Sequence, residues 1–189
     1  MPRWLWHAAR GALMGVILIG AALAFILAAG AADPPRAGPL SFGFGPLPPV
    51  EAAPGAVIRL PRRLALPTPP YTLEVEARLE AGSDPLGWWG VAFDNGAQIT
   101  VMADAYFALP PLIPESQPFF HIRPPGEANR LYVHVLPDGA ATLRLNSEIA
   151  WEGNFPPARS AVIRAGGMTE SVRLIVIRAA LYSPPPPAR

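Results

Sequence analysis

The chain contains no cysteine and no lysine, and charged residues make up only 15% of it. Without cysteine it has no disulfide, no cysteine-ligated zinc and no thiol nucleophile. Its 15 basic residues are all arginine, and the formal net charge is +1. A balance so close to zero excludes a partner that is recognised through overall charge, such as nucleic acid.

Proline, in contrast, is abundant, with 26 residues in a chain of 189, where an average protein has about 5%. So much proline excludes a helical bundle and indicates loops and linkers. Hydrophobic residues reach 51%, which excludes a wholly disordered chain. The length allows one ordinary domain with appendages.

The N-terminal region, residues 1–32, predicts a membrane segment. Residues 11–32 carry no charge and would form a helix about 33 Å long, enough to span a bilayer. Arg3 and Arg10 precede this run, so the positive-inside rule places the N-terminus in the cytoplasm and the rest of the chain outside the cell membrane. A retained signal anchor fits this pattern. Ala29-Gly30-Ala31 also resembles a signal-peptidase site, and cleavage there would give a secreted protein.

Small residues recur at four-residue spacing within the apolar run. Gly11 and Gly15 form a GxxxG pair, which favours helix-mediated dimerisation. A segment simply rich in alanine and glycine would show the same letters.

Two proline-rich segments flank the remaining sequence. Residues 33–55 are predicted to be a semi-extended linker, in which Phe42 and Phe44 are unusual and are candidates to pack onto the following domain. Residues 184–189 form a tail with a short polyproline run, either a docking motif or a plain terminus.

Residues 56–183 read as a domain of short strands. Tyr71–Glu80 alternates apolar and polar residues without error, as a half-buried antiparallel strand does. No convincing amphipathic helix follows residue 33. The other predicted strands are Ala56–Leu60, Trp88–Phe93, Gln98–Ala103, Phe119–Ile122, Arg130–Leu136, Ala141–Leu145, Ile149–Trp151, Ala161–Ala165 and Val172–Leu181. This pattern predicts an all-β sandwich or barrel.

Two turns fix the register of their hairpins. Asp94-Asn95-Gly96 suits a three-residue loop, which pairs Phe93 with Ala97 and keeps apolar residues on one face. Pro137-Asp138-Gly139 repeats this arrangement. The resulting cross-strand pairs are Val91 with Ile99, Trp89 with Val101, Val135 with Ala141, Val133 with Leu143 and Leu131 with Leu145.

The order of these signals resembles the concanavalin A-like, laminin G-like jelly rolls of bacterial surface proteins. The resemblance spans Tyr71 to Leu181, and its motifs are Trp89-Gly-Val-Ala-Phe93, Asn129-Arg-Leu-Tyr-Val133 and Leu143-Arg-Leu-Asn146. It implies an antiparallel β-sandwich. The family includes lectins, hydrolases and spacers, so it does not fix the function. Ser147 stands where the family usually has glycine, which leaves the register of the following strand open.

Outward-facing polar and aromatic residues supply the candidate ligand site. Trp88 points away from the core, with Met102 as its expected cross-strand neighbour. On the Pro137 hairpin, the corresponding face carries a mixed aromatic and hydrogen-bonding set. The candidate ligand-binding residues are Trp88, Tyr132, His134, Arg144 and Asn146. An ordinary solvent-exposed face would have a similar composition.

Catalysis is disfavoured by the spacing of the carboxylates. The resemblance includes laminarinase-type glycosidases, whose carboxylates alternate along one strand as Glu-x-Asp-x-x-Glu. Glu74, Glu76 and Glu80 depart from that pattern because the third carboxylate lies one residue too far, and the strand is the first of the matched region. We therefore expect no catalytic residues and no enzyme activity.

Metal ligands and cofactors are not expected either. His121 and His134 are not spaced as metal ligands. Asp94, Asn95 and Asp104 could offer oxygens to calcium, but the turn alone explains why Asp94 and Asn95 are there. Arg59, Arg62 and Arg63 form a small basic cluster that could contact lipid headgroups or cell-wall polymers, or have no partner.

The sequence thus predicts a single-pass membrane protein with a jelly-roll domain outside the cell. Its expected role is a non-enzymatic binding module for carbohydrate or another envelope component. A structural or accessory subunit of a membrane complex is the alternative, and a glycosidase is a third, less favoured one.

Overall fold

The structure is a computed structural model that describes residues 12–22 and 34–185. It divides into two compact units, Met1–Pro35 and Arg36–Arg189. In the first, residues 12–22 form a helix. No helix among the described residues combines the length and hydropathy that a membrane crossing requires. Half of the expected span over 11–32 lies outside the described residues, as does Gly11 of the proposed dimer motif. Membrane insertion and dimerisation therefore stay predictions.

The second unit is all β. Between residues 34 and 185 the strands are β1 (Leu40–Phe44), β2 (Val50–Ala52), β3 (Val57–Ala65), β4 (Tyr71–Leu79), β5 (Trp88–Phe93), β6 (Gln98–Met102), β7 (Tyr106–Leu109), β8 (Ile113–Pro118), β9 (Asn129–Val135), β10 (Ala140–Leu145), β11 (Glu148–Asn154), β12 (Ser160–Gly166) and β13 (Val172–Tyr182). A seven-stranded sheet has the order β1-β13-β4-β9-β10-β11, with β2 also paired to β13. A six-stranded sheet has the order β3-β12-β5-β6-β7-β8.

The two antiparallel sheets form a sandwich of the jelly-roll type, which confirms the predicted fold class. Alternation along each strand sends one set of side chains into a shared apolar core. Trp89, Ile99 and Ile163 enter it from the six-stranded sheet, and Leu73 and Leu143 enter it from the seven-stranded sheet. The opposite set of side chains forms two outer faces, and these are where a ligand could bind.

The predicted turn registers are confirmed. Val91 lies opposite Ile99, and Trp89 lies opposite Val101, while Gly96 takes the positive φ of 90° that the three-residue loop needs. The other hairpin likewise pairs Val133 with Leu143. The open register after Ser147 is also settled: the loop is two residues long, and Leu145 pairs with Glu148.

The predicted linker over 33–55 is wrong in part, because it contributes two strands to the seven-stranded sheet. Phe42 pairs with Leu181 and Phe44 with Ala179 through the backbone of β13. Phe44 packs against the core, as its unusual place in a spacer suggested. Proline and glycine frequencies describe a segment's average, whereas short edge strands need only a few residues with free backbone groups.

The predicted strand over Phe119–Ile122 is also wrong. The backbone N–H of Ile122 donates to the carbonyl oxygen of Phe119, which closes a turn. The apolar residues there do not share one environment, since Ile122 is buried and Phe120 is 90% exposed. The strands of this region are instead β7 and β8, where prolines at 110, 111, 114 and 118 concealed the pattern.

Candidate functional site

The structure places the predicted site residues on two different surfaces. Tyr132, His134 and Arg144 lie on the outer face of the seven-stranded sheet, where Arg144 is directly opposite Tyr132. Asn146 lies in the hairpin loop after β10, and Trp88 lies on the outer face of the six-stranded sheet. The five candidates therefore do not form a single site.

Tyr132 is not the exposed aromatic platform that the sequence suggested, because only 3% of it is accessible. Its ring is stacked with that of His134, with centroids 6.1 Å apart and planes at 17°. Burial raises the pKa of Tyr132 and lowers that of His134. The Nδ1 of His134 lies 2.8 Å from the Thr72 hydroxyl, which also accepts a hydrogen bond from the backbone N–H of Ala37.

The same face carries a buried carboxylate, that of Glu74. Glu74 accepts a hydrogen bond from Arg36 Nε at 2.7 Å and another from Arg130 Nη2 at 2.8 Å. Burial pushes the pKa of Glu74 upward, but its hydrogen bonds to the two arginines and their charges outweigh burial and leave the pKa below its usual value. The Arg36 guanidinium also lies 4.7 Å from the ring centroid of Tyr182. The residues immediately before β1 are therefore fixed to this face.

Asn146 has a structural role. Its side-chain oxygen accepts from the backbone N–H of Arg130, and its nitrogen donates to the carbonyl of His121 and to the side chain of Asn129. At a φ of 51° it also forms the first residue of the hairpin loop. Its amide thus ties the hairpin to the neighbouring loop.

Trp88, by contrast, is half-buried on the outer face of the six-stranded sheet. Its ring lies on Gly166, where an added Cβ would come within 2.9 Å of the ring atoms Cε2 and Cζ2. The guanidinium of Arg164 lies 5.2 Å from the ring centroid, within the range of a cation–π contact. Met102 is its cross-strand neighbour, as predicted.

A polar cavity lies on the same face, and Arg164, which contacts Trp88, is one of its lining residues. Ala92, an outward residue of β5 with a small side chain, also lines it. The cavity has a volume of about 250 Å³. Its polar lining consists of Arg59, Arg63, Asp94, Gln98, Ser160 and Arg164.

The cavity is positively charged. Arg59 and Arg164 are directly opposite each other on β3 and β12. Burial, and then the charge of Arg59, lowers the pKa of Arg164. The Arg164 Nη1 donates to Gln98 Oε1 at 3.1 Å, whereas its Nε is buried and has no hydrogen-bond partner among the described residues.

Asp94 is the acidic residue of this lining, and the fold already uses its carboxylate. Its Oδ1 accepts hydrogen bonds from the backbone N–H groups of Arg159 and Ser160. These bonds, that from Arg159 foremost, hold the pKa of Asp94 below its usual value. Asp94 therefore positions the turn before β12 and partly offsets the arginines.

The most strongly shifted carboxyl group, that of Asp84, is also structural. Its oxygens accept backbone N–H bonds from Met168, Thr169, Glu170 and Leu86. These bonds, that from Glu170 foremost, keep the pKa of Asp84 well below its usual range. Asp84 thereby joins the loop before β5 to the loop before β13.

The carboxylates considered for catalysis lie apart from this cavity. Glu74 is bound by its two arginines, and Glu80 pairs with Arg173 at 2.9 Å. Within residues 12–22 and 34–185, no group of three histidine or acidic side chains is arranged to hold a metal ion. A larger cavity of about 590 Å³ has a mainly apolar lining that includes Tyr71, Leu112, Phe155 and Pro156.

Sequence reasoning identified Trp88 and the arginines of β3 but missed Arg164 and Gln98. Arg164 lies between the apolar, inward-facing residues Ile163 and Ala165, so its outward direction could be read from the sequence. The neighbours of Arg164 could not be read from the sequence, because they depend on the position of β12 between β3 and β5 in the sheet.

No protein-family model matches the chain, and no curated protein sequence matches it. Among solved structures, a variant of human galectin-16 is 11% identical, with a TM-score of 0.49 and coverage of 67% of this chain and 98% of that one. The carbohydrate-binding module CBM66 from Bacillus subtilis is 8% identical, with a TM-score of 0.46 and coverage of 79% and 100%. A Trypanosoma rangeli sialidase is 13% identical, with a TM-score of 0.43 and coverage of 59% and 20%. Likeness at this level assigns neither a ligand nor an activity to this chain.

Proposed function

We propose that this chain is a non-enzymatic carbohydrate-binding module, displayed outside the cell by a single-pass N-terminal anchor. The observation that carries the proposal is the half-buried ring of Trp88, which stands beside Arg164, an arginine that also lines an open polar cavity. The ring and the cavity share the outer face of the six-stranded sheet.

This arrangement matches the two kinds of surface that a sugar ring presents. The apolar C–H face of a sugar stacks on an aromatic ring, while its hydroxyl groups need donors and acceptors at the edge of that ring. Trp88 supplies the flat apolar surface. Gln98 and Arg164 supply an amide and a guanidinium within the same patch.

The location rests on the N-terminal sequence. Arg3 and Arg10 precede the uncharged residues 11–32, so an inserted helix would leave the sandwich on the extracytoplasmic side. Secretion after cleavage near Ala31 would place the same domain outside the cell without an anchor.

An accessory subunit of a membrane complex is the second candidate. The observation that favours it is the mainly apolar 590 Å³ cavity, which is lined by prolines and aromatic residues and could receive a segment of a partner protein. Such a subunit would bind no glycan through Trp88.

A direct binding assay separates these candidates. The full-length protein in detergent is applied to an array of envelope polysaccharides and oligosaccharides, with a reducing-sugar assay alongside. We expect saturable binding that is lost in Trp88→Ala, and no sugar release. Phe120→Ala is the matched control, because it removes a highly exposed aromatic side chain from a turn that lies outside the strands of the Trp88 sheet.

Unchanged binding in Trp88→Ala would show that the ligand lies elsewhere. Binding to no glycan at all would overturn the proposal in favour of the accessory subunit. Release of reducing sugar would mean that the protein is a glycosidase.

A further inference from the structure

We infer that the saccharide bound beside Trp88 carries an anionic group, a carboxylate or a phosphate, which is held in the cavity between Arg59, Arg63 and Arg164. The inference rests on the proposed function and adds the chemical class of the ligand.

Alternation along β3 places Arg59 and Arg63, which are four residues apart, on one face, and an irregularity between them leaves this arrangement intact. Arg63 pairs with Val162 and Arg59 with Arg164, and the register shifts between these two pairs. The shift lies at Pro61 and Arg62, where an edge strand tolerates both the missing N–H of proline and a bulge. Leu60 and Leu64 still point into the core, so Arg59 and Arg63 both face outward.

Arg62, the third basic residue of β3, is used differently. Its guanidinium lies 5.4 Å from the ring centroid of Phe42 and 4.9 Å from that of Phe44. Arg62 therefore packs on aromatic rings of β1 and does not line the cavity. The three positive charges at the cavity are those of Arg59, Arg63 and Arg164.

Asp94 offsets only part of the charge of the three arginines at the cavity. The ion pairs of the described residues join Arg36 and Arg130 to Glu74, and Arg173 to Glu80. None of them involves an arginine of the cavity. Like charges directly opposite each other on neighbouring strands destabilise a sheet, so the pair Arg59 and Arg164 costs stability that a bound anion would restore.

Arg164 has an unused donor at the edge of this space. Its Nη1 is bonded to Gln98, while its Nε–H is buried with no acceptor among the described residues. A buried donor without a partner is unfavourable, and the Nε edge of a guanidinium binds carboxylates and phosphates through paired hydrogen bonds. A shift of the Arg164 side chain on binding would bring the Nε–H to an anionic oxygen, which would satisfy this donor and offset the neighbouring charges.

The size of the cavity limits what it receives. At about 250 Å³, it is slightly below the roughly 300–1,000 Å³ of typical small-molecule sites. It therefore suits one charged group with part of one sugar unit, while the adjoining unit of the saccharide stacks on Trp88.

A matched pair of ligands tests this inference. The full-length protein in detergent is titrated by calorimetry with an oligogalacturonate and with its methyl ester, which has the same sugar chain without the charges. We expect the acid to bind about tenfold more tightly at low salt, and this preference to shrink as salt rises. The double variant Arg59→Gln/Arg63→Gln should lose the preference.

The control variant is Arg78→Gln/Arg173→Gln, which removes two exposed arginines from the seven-stranded sheet and so changes the net charge equally. It should retain the preference. Arg59 and Arg63 are exposed, and circular dichroism establishes that both double variants fold. Loss of the preference in the control as well would show that it reflects net charge and would overturn the inference.

The other outcomes separate the two proposals. Equal affinity for acid and ester, abolished by Trp88→Ala, would overturn the anionic ligand and keep the carbohydrate-binding module. Binding of phosphatidylglycerol vesicles but of neither oligosaccharide would overturn both and indicate a lipid headgroup, provided that Arg59→Gln/Arg63→Gln weakens it. Binding of no probe at all would overturn both.

Discussion

Substituting either of the two arginines that bind Glu74 should destabilise the sandwich. The Glu74 side chain is only 4% exposed and lies between Arg36 and Arg130, at 2.7 and 2.8 Å. Glu74 and Arg130 are neighbours across β4 and β9, whereas Arg36 arrives from the residues before β1. Arg36→Ala therefore tests whether this N-terminal stretch contributes to the stability of the domain.

The contacts of Arg36 set the size of the effect. Hydrogen bonds to charged groups contribute about 1.5–3 kcal/mol, and the 32% exposure of the Arg36 side chain favours the lower end of that range. Its contact with Tyr182, at 4.7 Å, adds about 0.5 kcal/mol. The expected loss is about 2 kcal/mol, or about 4–8 °C in Tm for a domain of this size.

The double variant Arg36→Ala/Arg130→Ala should lose more than the sum of the two single changes. Each single variant leaves Glu74 with one partner, while the double variant leaves a buried carboxylate with none and adds the cost of an uncompensated buried charge to the two single losses. Urea unfolding of wild type, single and double variants at pH 7 gives the coupling free energy directly. Strict additivity would show that the two arginines do not act through Glu74.

The pH dependence supplies an independent check on Glu74. In the wild type its pKa lies below the usual 4.5, so its contribution is present above pH 4.5 and is lost as the pH falls through the lower, folded value. In the double variant burial acts alone and raises the pKa, so the contribution reverses sign. The destabilisation relative to wild type should therefore shrink from pH 7 to pH 4, and a constant difference would refute the reasoning.

Three further changes have defined outcomes. Gly166→Ala should displace the Trp88 ring, which lies 2.9 Å from the new Cβ position, and should weaken saccharide binding; unchanged affinity would contradict this packing. Trp89→Ala should cost about 3–5 kcal/mol in urea unfolding, because Trp89 is buried in the core, whereas Trp88→Ala should cost about 1 kcal/mol or less; equal losses would mean that the two faces are assigned wrongly. Ser147→Gly should raise the unfolding free energy by about 1 kcal/mol, because Ser147 has a φ of 77°; a lower Tm would contradict the strain.

The fold could be predicted where short-range patterns decide it. The loop lengths at Asp94–Gly96 and at Pro137–Gly139 follow from turn chemistry and from keeping apolar residues on one face. Each loop fixed a hairpin register, and the structure has those registers. The alternation of Tyr71–Leu79 likewise predicted a strand correctly, but its predicted half-burial is wrong over the first five residues, where Thr72 and Glu74 are buried as well.

The edges of the sheets could not be predicted in this way. β1 and β2 lie within a segment rich in proline and glycine, and their pairing with β13 joins residues almost a whole chain apart. Whether two segments so far apart in the sequence pair cannot be predicted from the residues of either segment alone. The opposite error occurred at Phe119–Ile122, where aromatic residues with separate roles looked like a strand.

The candidate site was predicted only in part, for the same reason. The outward direction of Tyr132 was correct, yet its burial depends on what lies over the sheet there, which the sequence of β9 does not contain. The outward direction of Trp88 could be predicted, because it follows from the alternation of neighbouring residues along β5. Its partner Arg164 lies far along the chain and becomes a neighbour only because β12 pairs with β5.

The two outer faces carry similar residue types but opposite electrostatic arrangements, and this difference decides between them. On the seven-stranded sheet, two arginines converge on one buried carboxylate, so their charges are satisfied within the protein. On the six-stranded sheet, Arg164 lies opposite Arg59 and keeps a buried donor without a partner. Electrostatic energy that the fold leaves unsatisfied is available to a ligand, whereas a closed network would have to be broken before a ligand could use it. We therefore propose a ligand on the face with Trp88 and not on the opposite face.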